Sequence, residues 1–242
     1  MSLHLAPTAE LFVLTGAGVS AESGIATFRD ADGLWEQHRI EEVATPEAFA
    51  ADPALVWRFY RQRRAQAATV APNPGHRALA ELEARLGERL LVCTQNVDGL
   101  HEAAGSTRVV HMHGELFKSR CSDGCGRPPW DDLDGDVAAP LPRCRCGALA
   151  RPHIVWFGEV PFEMHALKRR VQRAAVFLCV GSSGVVYPAA GMVGEMAYRK
   201  SQGEAVRSIY VGLERPANAD AFDEVLLGRS GEVLPGYLAT CR

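Results

Sequence analysis

Six short apolar runs rich in β-forming residues punctuate this chain: Leu11–Leu14, Leu90–Cys93, Val109–Met112, Ile154–Phe157, Val176–Val180 and Ile209–Val211. Their apolar character is continuous rather than alternating, which marks strands buried on both faces. Helical stretches lie between some of them, as at 75–86, where Leu79, Leu82 and Leu86 fall at helical spacing. Such a pattern predicts an α/β fold with a parallel, doubly wound sheet.

Five of the runs end in a polar cluster. The first leads into Thr15-Gly-Ala-Gly-Val-Ser20, the second into Thr94-Gln-Asn-Val-Asp98 and the third into His113-Gly114. The fifth leads into Gly181-Ser-Ser183 and the sixth into Gly212-Leu-Glu214. In a doubly wound sheet these strand ends line the ligand crevice, where glycines admit a phosphate and a helix N-terminus favours its charge. The set predicts a Rossmann-like dinucleotide site. Ordinary hydride transfer fits poorly: only two glycines of G-x-G-x-x-G are present, and the stretch after Phe28 reads as a loop rather than a second strand ending in an acid.

Two segments interrupt the α/β pattern. Residues 36–73 are rich in Ala, Arg and Glu, with Pro46 and Pro53 dividing them into short helices, and residues 118–152 carry four of the seven cysteines. They are expected to form a small second domain, a helical insert plus a zinc-binding module. Residues 1–35, 74–117 and 153–242 then make up a discontinuous dinucleotide-binding domain. Cys121, Cys125, Cys144 and Cys146 form two pairs flanking a loop, the pattern of a four-thiolate zinc site in a reducing compartment. Two disulfides or idle thiols are the alternatives, and the C-x-C spacing of the second pair makes the geometry tight. Cys93, Cys179 and Cys241 read as structural cysteines, the first two within apolar runs.

The net charge of −3 gives no general attraction to nucleic acid or anionic lipid. No apolar run approaches the roughly 20 residues that span a bilayer, and the first residues do not resemble a secretory leader. A cytoplasmic, monomeric protein is expected, with neither nucleic acid nor membrane as a partner.

Within the first insert, Tyr60 and Arg63 share a helix face. A phenol beside a guanidinium suits a small carboxylate; a solvated basic face is the plainer reading, since Arg58, Arg61 and Arg64 are adjacent. His76, His101 and His153 lack metal-ligand partners at suitable spacing. Trp35, Trp57, Trp130 and Trp156 read as packing residues in surroundings poor in basic groups.

These residues resemble the sirtuins, NAD-dependent protein lysine deacylases, over nearly the whole chain. The similarity is carried by Gly16-Ala-Gly-Val-Ser-Ala-Glu-Ser-Gly-Ile-Ala-Thr-Phe-Arg29, Thr94-Gln-Asn-Val-Asp-Gly-Leu-His101, His111-Met-His-Gly114 and the four cysteines. Arg151-Pro-His-Ile-Val-Trp-Phe-Gly-Glu159 and Gly181-Ser-Ser-Gly-Val-Val-Tyr-Pro-Ala-Ala-Gly191 complete it. The resemblance implies NAD+ bound across the strand ends by Gly16, Ala17, Gly18, Ser20, Glu22, Phe28, Arg29, Trp35, Gln95, Asn96, Val97, Asp98, Gly181, Ser182, Ser183, Gly212, Leu213, Glu214 and Ser230, and one structural Zn2+. It further implies His113 as general base on a ribose hydroxyl, with Asn96 and Asp98 orienting the nicotinamide and ribose, and His111 in a supporting role. The products would be nicotinamide, free lysine and O-acyl-ADP-ribose.

Tyr60-x-x-Arg63 and the small Ala44 are similar to the desuccinylase-type subgroup, in which the pair holds the distal carboxylate of a succinyl, malonyl or glutaryl lysine. Acetyl remains a second substrate class, and protein ADP-ribosyl transfer or a non-catalytic binding module are the other readings. The acyl-lysine peptide is expected to add as a strand near Val155, Phe157, Gly158, Glu159 and Gly184. Two further departures from the family pattern are Ala26, where proline is frequent, and Gly212, where asparagine is frequent. The second predicts weaker NAD+ binding or compensation by Glu214.

Overall fold

A parallel sheet organises the larger part of the computed structural model, which describes residues 3–25, 34–35, 38–183 and 189–241, the backbone alone at 34–35 and 189–190. The strands are β1 (Leu11–Thr15), β2 (Leu34–Trp35), β3 (His38–Arg39), β4 (Leu90–Thr94), β5 (Val109–His111), β6 (Gly114–Cys121), β7 (Trp130–Asp131), β8 (Ala150–Ile154), β9 (Val176–Val180), β10 (Arg207–Gly212) and β11 (Glu224–Leu227). The α-helices are α1 (Ala17–Ala21), α2 (Ile40–Val43), α3 (Pro46–Ala51), α4 (Pro53–Ala67), α5 (Pro74–Leu86), α6 (Leu100–Ala103), α7 (Met164–Arg173), α8 (Ala189–Ser201) and α9 (Ser230–Leu238).

Six strands pair in the order β11-β10-β9-β1-β4-β5, every pair parallel. Both faces are covered. On one, Leu11, Val13, Val92, Leu178 and Val211 pack with Leu79 and Leu82 of α5 and Leu234 and Leu238 of α9. On the other, Phe12, Leu14, Phe177 and Tyr210 pack with Leu167 and Val171 of α7 and Met192 and Met196 of α8. Burial on both faces is why these strands read as unbroken apolar runs. From β1 the chain builds first toward β4 and β5, then returns to β9 on the opposite side. The order therefore reverses beside β1, where an open α/β sheet places its ligand crevice.

One expected strand is corrected. Ile154–Phe157 does not enter this sheet: Ile154 ends β8, which pairs antiparallel with β6 in a separate sheet of order β7-β6-β8. Its apolar residues serve a third core instead, in which Ile154 and Trp156 pack with Val43, Phe49, Trp57, Phe59 and Tyr60. The sixth strand of the main sheet is β11, a partly exposed edge strand whose apolar run, Val225 to Leu227, is only three residues long. Strands β6 and β8 run through positions 117–118 and 152–153, so the three-stranded sheet draws residues from both sides of the expected segment boundaries.

The helical insert is started rather than merely broken by its prolines. Thr45 and Asp52 cap α3 and α4 through the backbone N–H of Ala48 and Leu55, with Pro46 and Pro53 at the first helical turn. Asn73 and Pro74 repeat the device at α5. Proline belongs there because the first-turn N–H groups lack helical partners in any case. Among the described residues, no helix is long and apolar enough to cross a membrane.

Candidate active site

At the switch point, the loops after β1 and β9 meet through main chain. Gly16 N–H donates to the Val180 carbonyl at 3.0 Å and Gly18 N–H to the Gly181 carbonyl at 2.8 Å. A Cβ on Gly18 would lie 2.8 Å from Gly181 main chain, and one on Gly181, whose φ is +61°, 2.4 Å from Val19 N. These glycines are required first by the closure of one loop on the other. The approach to a phosphate is a consequence of that closure, and Gly18 N–H is already spent on it.

The loop after β4 is tied into the same junction. Asn96 is buried, and its amide donates to the Gly16 carbonyl (3.1 Å) and to Ser20 Oγ (2.8 Å). The Gln95 side-chain oxygen accepts from Ser182 Oγ at 2.7 Å, and Asp98, also buried, accepts from Leu100 N–H as α6 begins. Val97 anchors the second sheet, its carbonyl accepting from Leu116 N–H. Beneath the strand ends, Thr15 and Thr94 hydrogen bond to each other, and Thr15 also meets His101. Burial pushes His101 down to about 3, so it is neutral there.

The geometry separates the two histidines that follow β5. His111 ends the strand, whereas His113 lies in the turn beyond it, so the two do not share a strand face. His111 Nδ1 meets the Asn96 carbonyl at 3.0 Å and Nε2 the Glu102 carboxylate at 2.8 Å. Both partners accept, which suits an imidazolium. Burial opposes that charge, but the Glu102 hydrogen bond and charge outweigh it and raise His111 above the ordinary imidazole range. Among the described residues, His113 is tied only through Nδ1, to the Gln95 carbonyl at 3.0 Å. A carbonyl can only accept, so Nδ1 carries the proton and Nε2 presents a lone pair. Burial holds His113 below the ordinary imidazole range, the Gln95 bond opposing it weakly.

Other expected cofactor residues are placed as follows. Ala17 opens the short helix α1. Glu22 and Ser230 meet one another: the Glu22 carboxylate accepts from Ser230 N–H, Ser230 Oγ and Gly231 N–H at the start of α9. Ser183 follows Ser182 in the loop after β9, and Leu213 and Glu214 lie exposed after β10. Gly212 has a local cause, because a Cβ there would stand 2.4 Å from the Tyr210 hydroxyl. An asparagine at 212 would have to displace that ring. Ala26, Phe28, Arg29 and Gly184 lie outside the described residues, as does the side chain of Trp35.

On the opposite side of the junction stands the third core. Ala44 and Tyr60 are buried there, and Arg63 is 6% exposed on the same face of α4 as Tyr60. Phe157 N–H donates to the Ala44 carbonyl at 3.0 Å, and Val155 N–H to the His113 carbonyl at 2.8 Å. Segment 155–159 therefore bridges the helical insert and the histidine turn. Glu159 N–H is also used internally, and Trp156 N–H donates to the Glu159 carboxylate. The Phe157 ring is exposed at the surface of this segment.

The solvated basic face is corrected for two of its three arginines: Arg58 is exposed, as expected, but Arg61 and Arg64 are not. Arg61 and Arg64 are 2% and 1% exposed, and they bind carbonyls of the cysteine segment and of β6. Arg61 reaches Ala139 O and Pro140 O, while Arg64 reaches Leu116 O and Asp134 O and pairs with Asp132. The expectation of tryptophans remote from basic groups is also overturned. Arg61 and Arg64 lie over Trp57, Arg127 over Trp130 and Arg151 over Trp156. Glu159 accepts from Arg151 through both oxygens and from Arg120. Burial would raise its carboxyl, but the Arg151 bonds and the Trp156 N–H hold it below the usual carboxylate range.

The four cysteine Sγ atoms lie within 4.8 Å of one another. Cys121 and Cys146 approach to 3.6 Å, and Cys125 and Cys144 to 3.7 Å. Disulfide sulfurs stand near ~2.05 Å, whereas thiolates at ~2.3 Å from a tetrahedral zinc are separated by about 3.8 Å. The cluster fits a structural zinc, and the one-residue spacing of Cys144 and Cys146 is accommodated.

Comparison with known proteins agrees with this geometry. Residues 16–188 match the model of the Sir2 family. A Pasteurella multocida protein named NAD-dependent protein deacylase is 48% identical over 234 residues, covering 95% of this chain and 96% of its own length. A Shigella flexneri protein of the same name is 47% identical over 233 residues, covering 94% and 82%. Among solved structures, a Sir2 homologue in complex with NAD is similar with a TM-score of 0.83 and 41% identity, over 95% of this chain and 88% of that one. A mutant Sir2 with a p53 peptide and NAD is similar with a TM-score of 0.77 and 26% identity, over 94% and 91%. With its glycine junction, its histidine turn and its cysteine cluster, this chain belongs to the Sir2 family.

Proposed function

We propose that this chain is an NAD-dependent protein lysine deacylase that favours acyl groups ending in a carboxylate, succinyl and malonyl above acetyl. The observation that carries the acyl preference is a buried phenol and guanidinium, Tyr60 and Arg63, one helical turn apart beside Ala44 and the bridging segment 155–159. Desolvation by burial raises the Tyr60 hydroxyl well above the ordinary phenol range, so it stays protonated and able to donate. An arginine binds a carboxylate through two parallel hydrogen bonds, and the enclosure strengthens them.

NAD+, when bound, supplies the glycosidic bond to nicotinamide, whose cleavage makes ADP-ribose the acyl acceptor. His113 Nε2 serves as the general base for a ribose hydroxyl in this reading, supported by the Gln95 hydrogen bond that fixes the tautomer. Asn96 and Asp98 orient the nicotinamide end. Glu22 and Ser230, through their mutual hydrogen bonds, support the adenosine end. Cys121, Cys125, Cys144 and Cys146 would close the coordination shell of a zinc, giving it a structural part with no open position for water.

Cofactor binding falls to the parallel-sheet part. The helical insert and the three-stranded sheet carry acyl recognition. The test is purified protein with NAD+ and matched succinyl- and acetyl-lysine peptides, followed by mass spectrometry. The expected result is nicotinamide release that requires the peptide, O-acyl-ADP-ribose as product and faster turnover of succinyl. Labelled protein would indicate ADP-ribosyl transfer instead. Faster removal of acetyl would overturn the acyl preference while leaving the deacylase reading intact.

A further inference from the structure

Trp156, read from the sequence as packing, has an indole N–H that does more than pack. Its Nε1 donates to the Tyr60 hydroxyl at 3.0 Å, in a site where Trp156 is 2% exposed and Tyr60 fully enclosed. A phenol has one proton to donate and lone pairs to accept with, whereas an indole N–H only donates. The direction of this bond is therefore fixed. The Tyr60 oxygen is the acceptor, and its proton is turned away from Trp156.

The indole is itself locked in place. Trp156 backbone N–H donates to Glu159 at 2.8 Å. Arg151 grips the same carboxylate at 2.7 and 2.8 Å, and its guanidinium lies 3.4 Å from the Trp156 ring centroid. A third Arg151 hydrogen bond, to the Ile154 carbonyl at 3.1 Å, fixes the guanidinium. The Phe49 ring also contacts the indole, at 5.4 Å between centroids. Glu159 is the carboxylate whose field reaches Tyr60, and it is committed to Arg151, Arg120 and the Trp156 N–H.

We infer that Trp156 is a positioning residue for acyl specificity: by filling the acceptor side of the Tyr60 hydroxyl, it directs the phenolic proton to the distal carboxylate of the acyl-lysine. The inference rests on the carboxylate-receptor reading of Tyr60 and Arg63. It adds a reason why the pair discriminates. With the Tyr60 acceptor side filled and Arg63 a pure donor, the pair presents donors alone to an acyl group, which a carboxylate satisfies and an acetyl methyl does not. The Arg151–Glu159 pair is then the brace that holds the indole in line.

The experiment compares kcat/KM for succinyl- and acetyl-lysine peptides in Trp156→Phe, Arg63→Met, Tyr60→Phe and the Trp156→Phe/Tyr60→Phe double variant. Phenylalanine keeps an aromatic ring beneath Arg151 and removes the N–H. The succinyl-to-acetyl ratio is expected to fall about five- to tenfold in Trp156→Phe, the range of one net hydrogen bond. Adding Trp156→Phe to Tyr60→Phe should lower the ratio no further, because its effect passes through the hydroxyl. Losses of the same size for both peptides, or an equal drop in the ratio in both backgrounds, would overturn the inference and leave Trp156 as packing. If Arg63→Met also leaves the ratio untouched, the carboxylate-receptor reading fails and this inference falls with it. A collapse in Arg63→Met with no change in Trp156→Phe defeats the inference alone.

Discussion

At the ends of the parallel strands, two loops are joined by main-chain hydrogen bonds from Gly16 and Gly18 to Val180 and Gly181, and the side chains that matter there are short: Ser20, Asn96, Asp98, Ser182. Across the histidine turn, the helical insert and the three-stranded sheet are joined by buried guanidinium groups. Arg61 and Arg64 bind carbonyls of the zinc module and of β6, and Arg151 binds Glu159 beneath Trp156. The first arrangement depends on having no side chain, so it tolerates almost nothing at its glycines. The second depends on long side chains that reach anonymous carbonyls. A crevice that must receive a large, invariant ligand gains from the first. A pocket whose acyl group can vary is more easily retuned through the second.

The largest effect that would sharpen this contrast is expected from Gly181→Ala. The added Cβ meets Val19 N at 2.4 Å in a left-handed conformation that side chains disfavour, so the β1 and β9 loops must part. NAD+ affinity should fall at least tenfold by calorimetry, while zinc content by elemental analysis stays at one ion per chain. Loss of zinc together with NAD+ would show that the two regions are not independent.

Zinc removal is the converse and should be next in size. Stripping the metal with a chelator under reducing conditions should unfold the segment from Cys121 to Cys146 and release the carbonyl partners of Arg61 and Arg64. The expected signature is a rise of several-fold in peptide KM, larger than the change in NAD+ affinity. An equal loss of both would show that the zinc-bearing segment also supports the NAD+ crevice.

A smaller effect concerns the junction itself. Burial lowers His113, so its basic form persists to a lower pH than a free imidazole. The acid limb of kcat/KM should therefore have its midpoint below about 6.5. A midpoint above that value would mean that a different group is the base.

The sequence made the strand-end region legible because unbroken apolar strands and their glycine, asparagine and histidine clusters are local signals. The cysteine pairs were equally plain. What escaped was decided at long range. Arg61 and Arg64 look like a solvated face until their carbonyl partners, more than fifty positions away, are known. Ile154–Phe157 is as apolar as a core strand but serves the third core. Gly212 looks like a lost contact, yet its side-chain space is filled from two residues upstream by Tyr210. Tyr60 and Arg63 had the right spacing, but the indole that orients the phenol lies 96 positions on.

Acyl preference, on this reading, resides in the guanidinium-built region and the chemistry at the strand ends. Its most direct test is kcat/KM for matched succinyl and acetyl peptides in the native chain and in Arg63→Met. The native chain is expected to prefer succinyl, and the ratio of the two constants to drop about ten- to a hundredfold in the variant, as for hydrogen bonds to a charged group. A ratio that stays where it was, with both activities intact, would contradict it.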